Sequence, residues 1–475
     1  MQRRTFLRGT AVAALAAVPL STSMSADASA ADTTVGSLAE LQSAINGAAP
    51  GDRIVVADGT YTVPAGGAIN VSGKNGTSAA QITIVSKSRG GAVLRGERSF
   101  VFANSSNITV SGFAFRQSTT MEIPADCSSI RLTRNDFQHA DSGDPYWLVV
   151  RANDTKIDRN HFHDKTTAGI FLVVDGPGST AMAQNIHIFR NHFSDHSFSG
   201  DNGGESIRLG VSGRALSGAH AVVEYNLFER ANGDPEAISV KSSDNTIRYN
   251  TIRDSRGGIV LRHGNRSRVE GNYLIGGSEG VRLYGNDHLI VNNYLSGLSG
   301  RALVVGSGTT RDHNSGETQD ERRGNDACDR AVIVHNTLIG NSSTLSGETR
   351  TYEPRDVVIA DNLLAGDSGS LVAMGTTTNF TWQTNMLWGA AANGNIPSGG
   401  YTRVDPKLAT GQDGVARLSA GSPAIGAATL ASPAVADDID GDSRGTTRDI
   451  GADEYSTAAA LRHPLTTADV GPNAS

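Results

Sequence analysis

The stretch Asp234–Ser242, DPEAISVKS, sets two carboxylates and an amine within eight residues of what otherwise alternates like a β-strand. Lysine is scarce in this chain: of 41 basic residues, the lysines are those at 74, 87, 156, 165, 241 and 407. Arginine stays protonated at any working pH, whereas an amine can give up its proton and serve as a general base. Lys241 is therefore a candidate base. Asp234 and Glu236, hard oxygen donors at i and i+2, suit Ca2+, and Asn202 in the Gly-rich stretch GDNGGES (200–206) offers a third ligand.

The elements that must position these residues are legible from a repeat. Alternating apolar residues, then Asn, then an apolar residue two positions on recur as IRLTRNDF (Asn135), TKIDRNHF (Asn160), IHIFRNHF (Asn191) and AVVEYNLF (Asn226). The pattern continues at Asn250, Asn272, Asn293, Asn336 and Asn362. Successive gaps are 25, 31, 35, 24, 22, 21, 43 and 26 residues, a floor near 21 with loop insertions added. Between the asparagines lies a second apolar strand: AGIFLVV, ESIRLG, EAISVKS, GGIVLRHG, EGVRLYG, RALVVG. Short period-two strands without a helical period between them argue against βαβ units, and a propeller blade would need about 40–45 residues. The reading is an all-β, right-handed, single-stranded parallel β-helix over residues 31–455, with Asn at a tight turn in the left-handed region and stacked as a ladder.

The ends follow. LAELQSAINGAAPGDRIVVADGTY (38–61) reads as an amphipathic helix and first strand forming an N-terminal cap. The acid-rich segment 418–455 lacks the EF-hand order and reads as structural, and STAAALRHPLTTADVGPNAS (456–475) reads as a flexible tail. Residues 1–30 read as a cleavable signal of the twin-arginine kind (Arg3-Arg4, an Ala-rich apolar run, then Ala28-Ser29-Ala30), so the expected localisation is secreted. A net charge of −7 favours neither nucleic acid nor an anionic membrane as partner, and leaves monomer and dimer open. Cys127 and Cys328 precede ladder asparagines seven coils apart, about 34 Å at ~4.8 Å per coil, so both are expected as free thiols.

Strand phase then locates a site. Ile207/Leu209, Ile238/Val240, Ile259/Leu261 and Val281/Leu283 alternate inward, which puts Lys241, Arg262 and Tyr284 on one outward rung of three successive coils. His263 follows Arg262, and Arg208 and Arg282 lie one rung earlier. Stacked cations call for an anionic ligand, and a neighbouring positive charge favours a neutral amine. Glu236 would share the inward phase of Ile238 in a regular strand, and a buried unpaired carboxylate is strongly unfavourable. The chain must therefore bend before Ile238, with Asp234 and Glu236 projecting from a loop at the strand's edge.

Residues 223–265 together with NGGESIRLG (202–210) resemble polysaccharide lyase family 6, the family of alginate lyases and chondroitinase B. The shared pattern is NGGE(S/T)IR, an acid-x-Glu-x4-Lys-Ser run, and RHG some twenty residues on. The resemblance implies Lys241 as catalytic base, Arg262 as its paired acid, and Asn202, Asp234 and Glu236 as Ca2+ ligands. Asp234 departs from the family's Glu by one methylene. The implied activity is β-elimination on an anionic, uronic-acid polysaccharide, alginate first and dermatan sulfate as the alternative, with no redox cofactor. Arg208, Glu205, His263, Tyr284 and Lys165 are assigned to substrate contact. In HFHDKTT (161–167), metal binding at His163 is not expected. Excursions at 139–146, 195–205 and 307–330 are candidates to wall the groove. A β-helix glycoside hydrolase would need two carboxyl groups flanking the scissile bond, and a carbohydrate-binding adhesin would need no base at all.

Overall fold

The computed structural model describes residues 32–140, 146–430 and 435–475; the signal segment expected at 1–30 lies outside them. Three parallel sheets run the length of the molecule, two of 14 strands and one of 11. Each coil contributes one strand to each sheet in order. Thr246–Arg248 lies in the first, Thr251–Arg253 in the second and Gly258–His263 in the third. Strands of each of these sheets pair in parallel with their counterparts one coil away, which makes the molecule a parallel β-helix.

The interior is a column of alternating inward residues. Ile207, Ile238, Ile259, Val281 and Leu303 are successive cross-strand partners and all are fully buried, as are Leu209, Val240, Leu261, Leu283 and Val305. Phe137, Phe162, Phe193 and Phe228 stack through the second sheet with ring planes within 10° of parallel. Near the N-terminus, the helix Leu38–Gly47 begins at Ser37, whose side chain accepts the Glu40 N–H at 3.2 Å, and it buries Leu41 and Ile45. Cys127 and Cys328 are buried free thiols.

At the corner between first and second sheets stands the asparagine ladder. Asn135 donates both its backbone N–H and its Nδ2 to Oδ1 of Asn160, at 2.9 and 3.1 Å. Asn160 does the same to Asn191, and the series runs on through Asn226, Asn250, Asn272, Asn293, Asn336 and Asn362 to Asn385, one rung beyond the repeat visible in the sequence. The left-handed residue of each turn is not the asparagine but the one before it, as at Arg134, Arg159, Tyr225, Tyr249, Asn292 and His335. That conformation costs a non-glycine residue about 1–2 kcal/mol, and the buried asparagine hydrogen bonds next to it offset the cost.

The C-terminal segment is not a loose tail. Leu465 and Val470 pack on Leu227, Gly471 N–H donates to the Arg190 carbonyl, and Arg134 donates to the carbonyls of Pro472 and Ala474. The last residues therefore lie along the asparagine corner, held by the apolar pair and by arginines whose turns they cover.

Replacing Asn250 by Ala would leave the buried amide N–H and Nδ2 of Asn226 without their Oδ1 acceptor. The expected loss is at least about 2 kcal/mol, measured by denaturant unfolding; a loss near zero would show the ladder to be energetically idle.

Candidate active site

The third sheet brings the predicted residues together. Ile207–Leu209, Glu236–Lys241, Gly258–His263 and Val281–Leu283 are adjacent strands, and Arg208, Ser239, Val260 and Arg282 form one outward rung across them. The expected bend is a register shift between Glu236 and Ile238, which leaves Ala237 as the extra residue. A second shift lies between Val240 and Lys241. The cross-strand partner of Lys241 is consequently His263, and Arg262 is the residue bulged out opposite it. The expected single column of Lys241, Arg262 and Tyr284 is thus broken, because each bulge moves all later residues by one position.

Nor do the cations stack on one another. Glu236 Oε1 accepts from Arg282 Nη2 at 3.0 Å and from Arg262 Nη1 at 3.3 Å, while Oε2 accepts from Ser239 Oγ at 2.6 Å. Lys241 Nζ lies 3.5 Å from Glu205 Oε1, and Glu205 Oε2 is buried with no hydrogen-bond partner. Glu236 and Asp234 are both buried rather than projecting from the strand's edge. Asp234 accepts the Glu236 N–H at 2.9 Å and sits near the Gly204 N–H at 3.5 Å. Burial, with Glu205 and Glu236 close by, pushes its carboxyl up to about 7.

Glycine explains how the two acid-bearing segments come so close. A Cβ on Gly204 would stand 2.4 Å from the Gly233 carbonyl oxygen, and one on Gly233 would stand 2.3 Å from that of Gly204. The NGGES loop and the turn before Asp234 are therefore pressed backbone to backbone, which carries Glu205 towards Asp234 and Glu236.

The remaining assignments divide. Arg208 is partly exposed, its guanidinium 4.9 Å from the Tyr146 ring centroid and donating to the Tyr146 hydroxyl at 3.3 Å. Asn202 is exposed on its loop. His263 is buried, and burial first, then Arg262, Lys241 and His313, pushes its imidazole down to about 3, so it is neutral. It does not reach the groove surface as a sugar contact. Tyr284 is also buried: its hydroxyl bonds to both oxygens of Glu348 and accepts from Arg350. Lys165 lies on the second sheet, fully buried, 5.6 Å from the Trp147 ring centroid and bonded to Thr167 Oγ1, so it is not placed to reach substrate.

Glu348 is the residue that sequence reasoning missed. It follows the strand Ser343–Gly347 and also faces Arg301 at 3.5 Å. Its partners are 47 and 64 residues away in the chain, and the one available signal was a lone acid ending a strand of the site-bearing sheet. The charged excursion 307–330 is fastened rather than free, with Arg322 donating to the Gly213 carbonyl and His313 near His263.

Fold and site together define a parallel β-helix protein with one sheet face given over to interleaved acids, guanidiniums and a single amine. The chain belongs to the chondroitinase B family, whose model matches residues 35–349. It is similar to the PL6 family alginate lyase AlyGC at 26% identity and TM-score 0.71, over 82% of this chain and 56% of that one. It is also similar to a mannuronic acid specific polysaccharide family 6 lyase from human gut microbiota, at 24% identity and TM-score 0.69 over 79% of this chain and 91% of that one. A PL6 family polysaccharide lyase from Pseudopedobacter saltans shares the fold at 22% identity and TM-score 0.67, covering 93% of this chain and 99% of that one. The chain thus spans just over half the length of AlyGC. No curated protein sequence matches it.

The raised Asp234 carboxyl makes a signed forecast. Its folded value, about 7, exceeds its ordinary value of 3.8, so the folded chain binds the extra proton between the two. In metal-free buffer this group's contribution should favour the fold at the acid end of that interval and be lost as pH rises through about 7. Unfolding free energies of wild type and Asp234→Asn, measured across the interval, should converge in slope only if this carboxyl is not the source.

Proposed function

We propose that this protein is a polysaccharide lyase that cleaves a uronic-acid polymer by β-elimination, with alginate as its first substrate. The observation that carries the reading is the pairing of a partly exposed amine, Lys241, with the guanidiniums of Arg262 and Arg282 held by a buried Glu236 on one sheet face. Lys241 takes the C5 proton of the uronate, which lies α to the substrate carboxylate. The electrons form the C4=C5 double bond as the C4–O bond breaks. Arg262, 38% exposed and steered by Glu236, stabilises or protonates the departing oxygen. The ammonium left on Lys241 stands beside Glu205. Arg208 and Arg282 provide positive charge for neighbouring uronates.

The donor set fits a hard divalent cation. Glu205, Asp234 and Glu236 lie near one another, one with an orphaned buried oxygen and one pushed up to about 7 by burial and by the other two acids. Asp234 and Glu236, with Asn202 from the NGGES loop and Glu205 beside them, are the residues that would hold Ca2+. Bound there, it would neutralise the substrate carboxylate and so make the C5 proton more acidic. Because Glu236 is shared with two arginines, loading would require Arg262 or Arg282 to yield part of its contact.

Alginate is favoured by the NGGES loop, which resembles that of alginate-active members of the family more than that of the dermatan-sulfate enzyme, and by the likeness to AlyGC, an alginate lyase. Dermatan sulfate is the second reading, favoured by the chondroitinase B family match. Export through the twin-arginine leader belongs to the same proposal. Mannuronate-rich, guluronate-rich and alternating alginates and dermatan sulfate, each followed by near-ultraviolet absorbance, test the assignment. Alginate should give an unsaturated product, whereas shortening without new absorbance would mean hydrolysis and binding without shortening an adhesin. Lys241→Ala and Arg262→Ala should each lower turnover at least about 100-fold; near-full activity in either variant would overturn its assigned role. Chelation should lower both activity and thermal stability, and added Ca2+ should restore them.

A further inference from the structure

The second sheet carries a cluster that this reaction does not use. Asp136 and His161 are cross-strand partners on neighbouring coils, and His163 follows His161 by two residues on the strand His161–Lys165. Period-two alternation therefore aims both imidazoles to the side on which the carboxylate stands. Their rings stack with centroids 4.1 Å apart. Asp136 Oδ2 lies 3.0 Å from His163 Nε2 and 4.0 Å from His161 Nδ1, and one donor atom from each residue falls within 4.8 Å of the others.

The other edge of each ligand is already held. His161 Nε2 pairs with Ser194 Oγ at 3.0 Å, His163 Nδ1 with Asp164 Oδ2 at 2.8 Å, and Asp136 Oδ1 with Arg116. Such contacts fix ring orientation and leave one nitrogen of each histidine and one carboxylate oxygen to converge. All three side chains are partly exposed, between 14% and 26%, so an ion can reach them from solvent.

We propose that Asp136, His161 and His163 form a binding site for a divalent transition metal of the zinc class, on a different sheet from the lyase groove. Two imidazole nitrogens and one carboxylate oxygen suit Zn2+, Ni2+ or Cu2+ rather than Ca2+, which takes six to eight oxygens. Three protein ligands leave a position for water. Since Asp136 belongs to one coil and both histidines to the next, the ion would tie the two coils together across their strand pairing. The proposal is independent of the lyase reading.

The test uses the whole chain, freed of metal by chelation and titrated with Zn2+ alone. One equivalent should bind with a rise in thermal midpoint, and Co2+ in its place should give the visible absorption of a four-coordinate nitrogen–oxygen site. Asp136→Ala and His163→Ala should weaken Zn2+ binding at least about tenfold while unfolding near the wild-type chelated midpoint. Should these variants fail to fold, Zn2+ should still protect His161 and His163 of the wild type from diethyl pyrocarbonate, with exposed His220 labelled at an unchanged rate. Absence of stoichiometric binding, binding unchanged in both variants, or no protection at these histidines would overturn the proposal and leave the cluster a hydrogen-bonded network only.

Discussion

A buried asparagine that hands two hydrogen bonds to the next asparagine is the contact on which this molecule is organised. It specifies one corner of every coil from Asn135 to Asn385. With that corner pinned, neighbouring coils cannot slide by a residue without leaving buried amides unmatched, so register is imposed on all three sheets at once. Variation in coil length must then go into loops, since successive ladder residues are separated by as few as 21 and as many as 43 positions. The excursion 307–330 is the largest of these and brings His313 near His263, which shows how a rigid repeat can support an individual site.

Within that rigid register, two bulges arrange the charged face. A regular strand would turn Glu236 into the apolar interior and set Lys241 level with Arg262. The skipped residues instead put the Glu236 carboxylate between two guanidiniums and leave Lys241 facing Glu205. Charges of both signs are interleaved across neighbouring coils, so neither Arg262 nor Arg282 depends on a substrate to be accommodated. Any anion entering this face must compete with Glu236 for those two arginines, which ties anion binding to the position of a buried acid.

The repeat, the inward columns and the joining of NGGES, DPE, VKS and RHG on one face were all legible in the sequence, because periodicity and phase are local properties. The need for a break between Glu236 and Ile238 was legible too, from the cost of burying a carboxylate. What phase cannot tell is which residue a bulge skips, and so Arg262 was matched to Lys241 when His263 is its true neighbour. Tyr284 is misjudged for a related reason: outward alternation says nothing about a distant side chain closing over the residue, as Glu348 does over the Tyr284 hydroxyl. The left-handed turn residue was placed one position late, since asparagine's own tolerance for that conformation concealed its role as the buried bonding partner.

The returning C-terminal segment changes what kind of object the solenoid is. A stack of coils in contact with nearest neighbours alone can fray from either end, each coil leaving in turn. Here the final residues run back to Arg190, Leu227 and Arg134, far from the coils that precede them in the chain. Peeling the C-terminal coils away would pull on a strap anchored mid-stack, so the last coils and the middle ones share one fate. The strap converts a linear array into a closed circuit, in which melting at the end and melting at the centre become a single event.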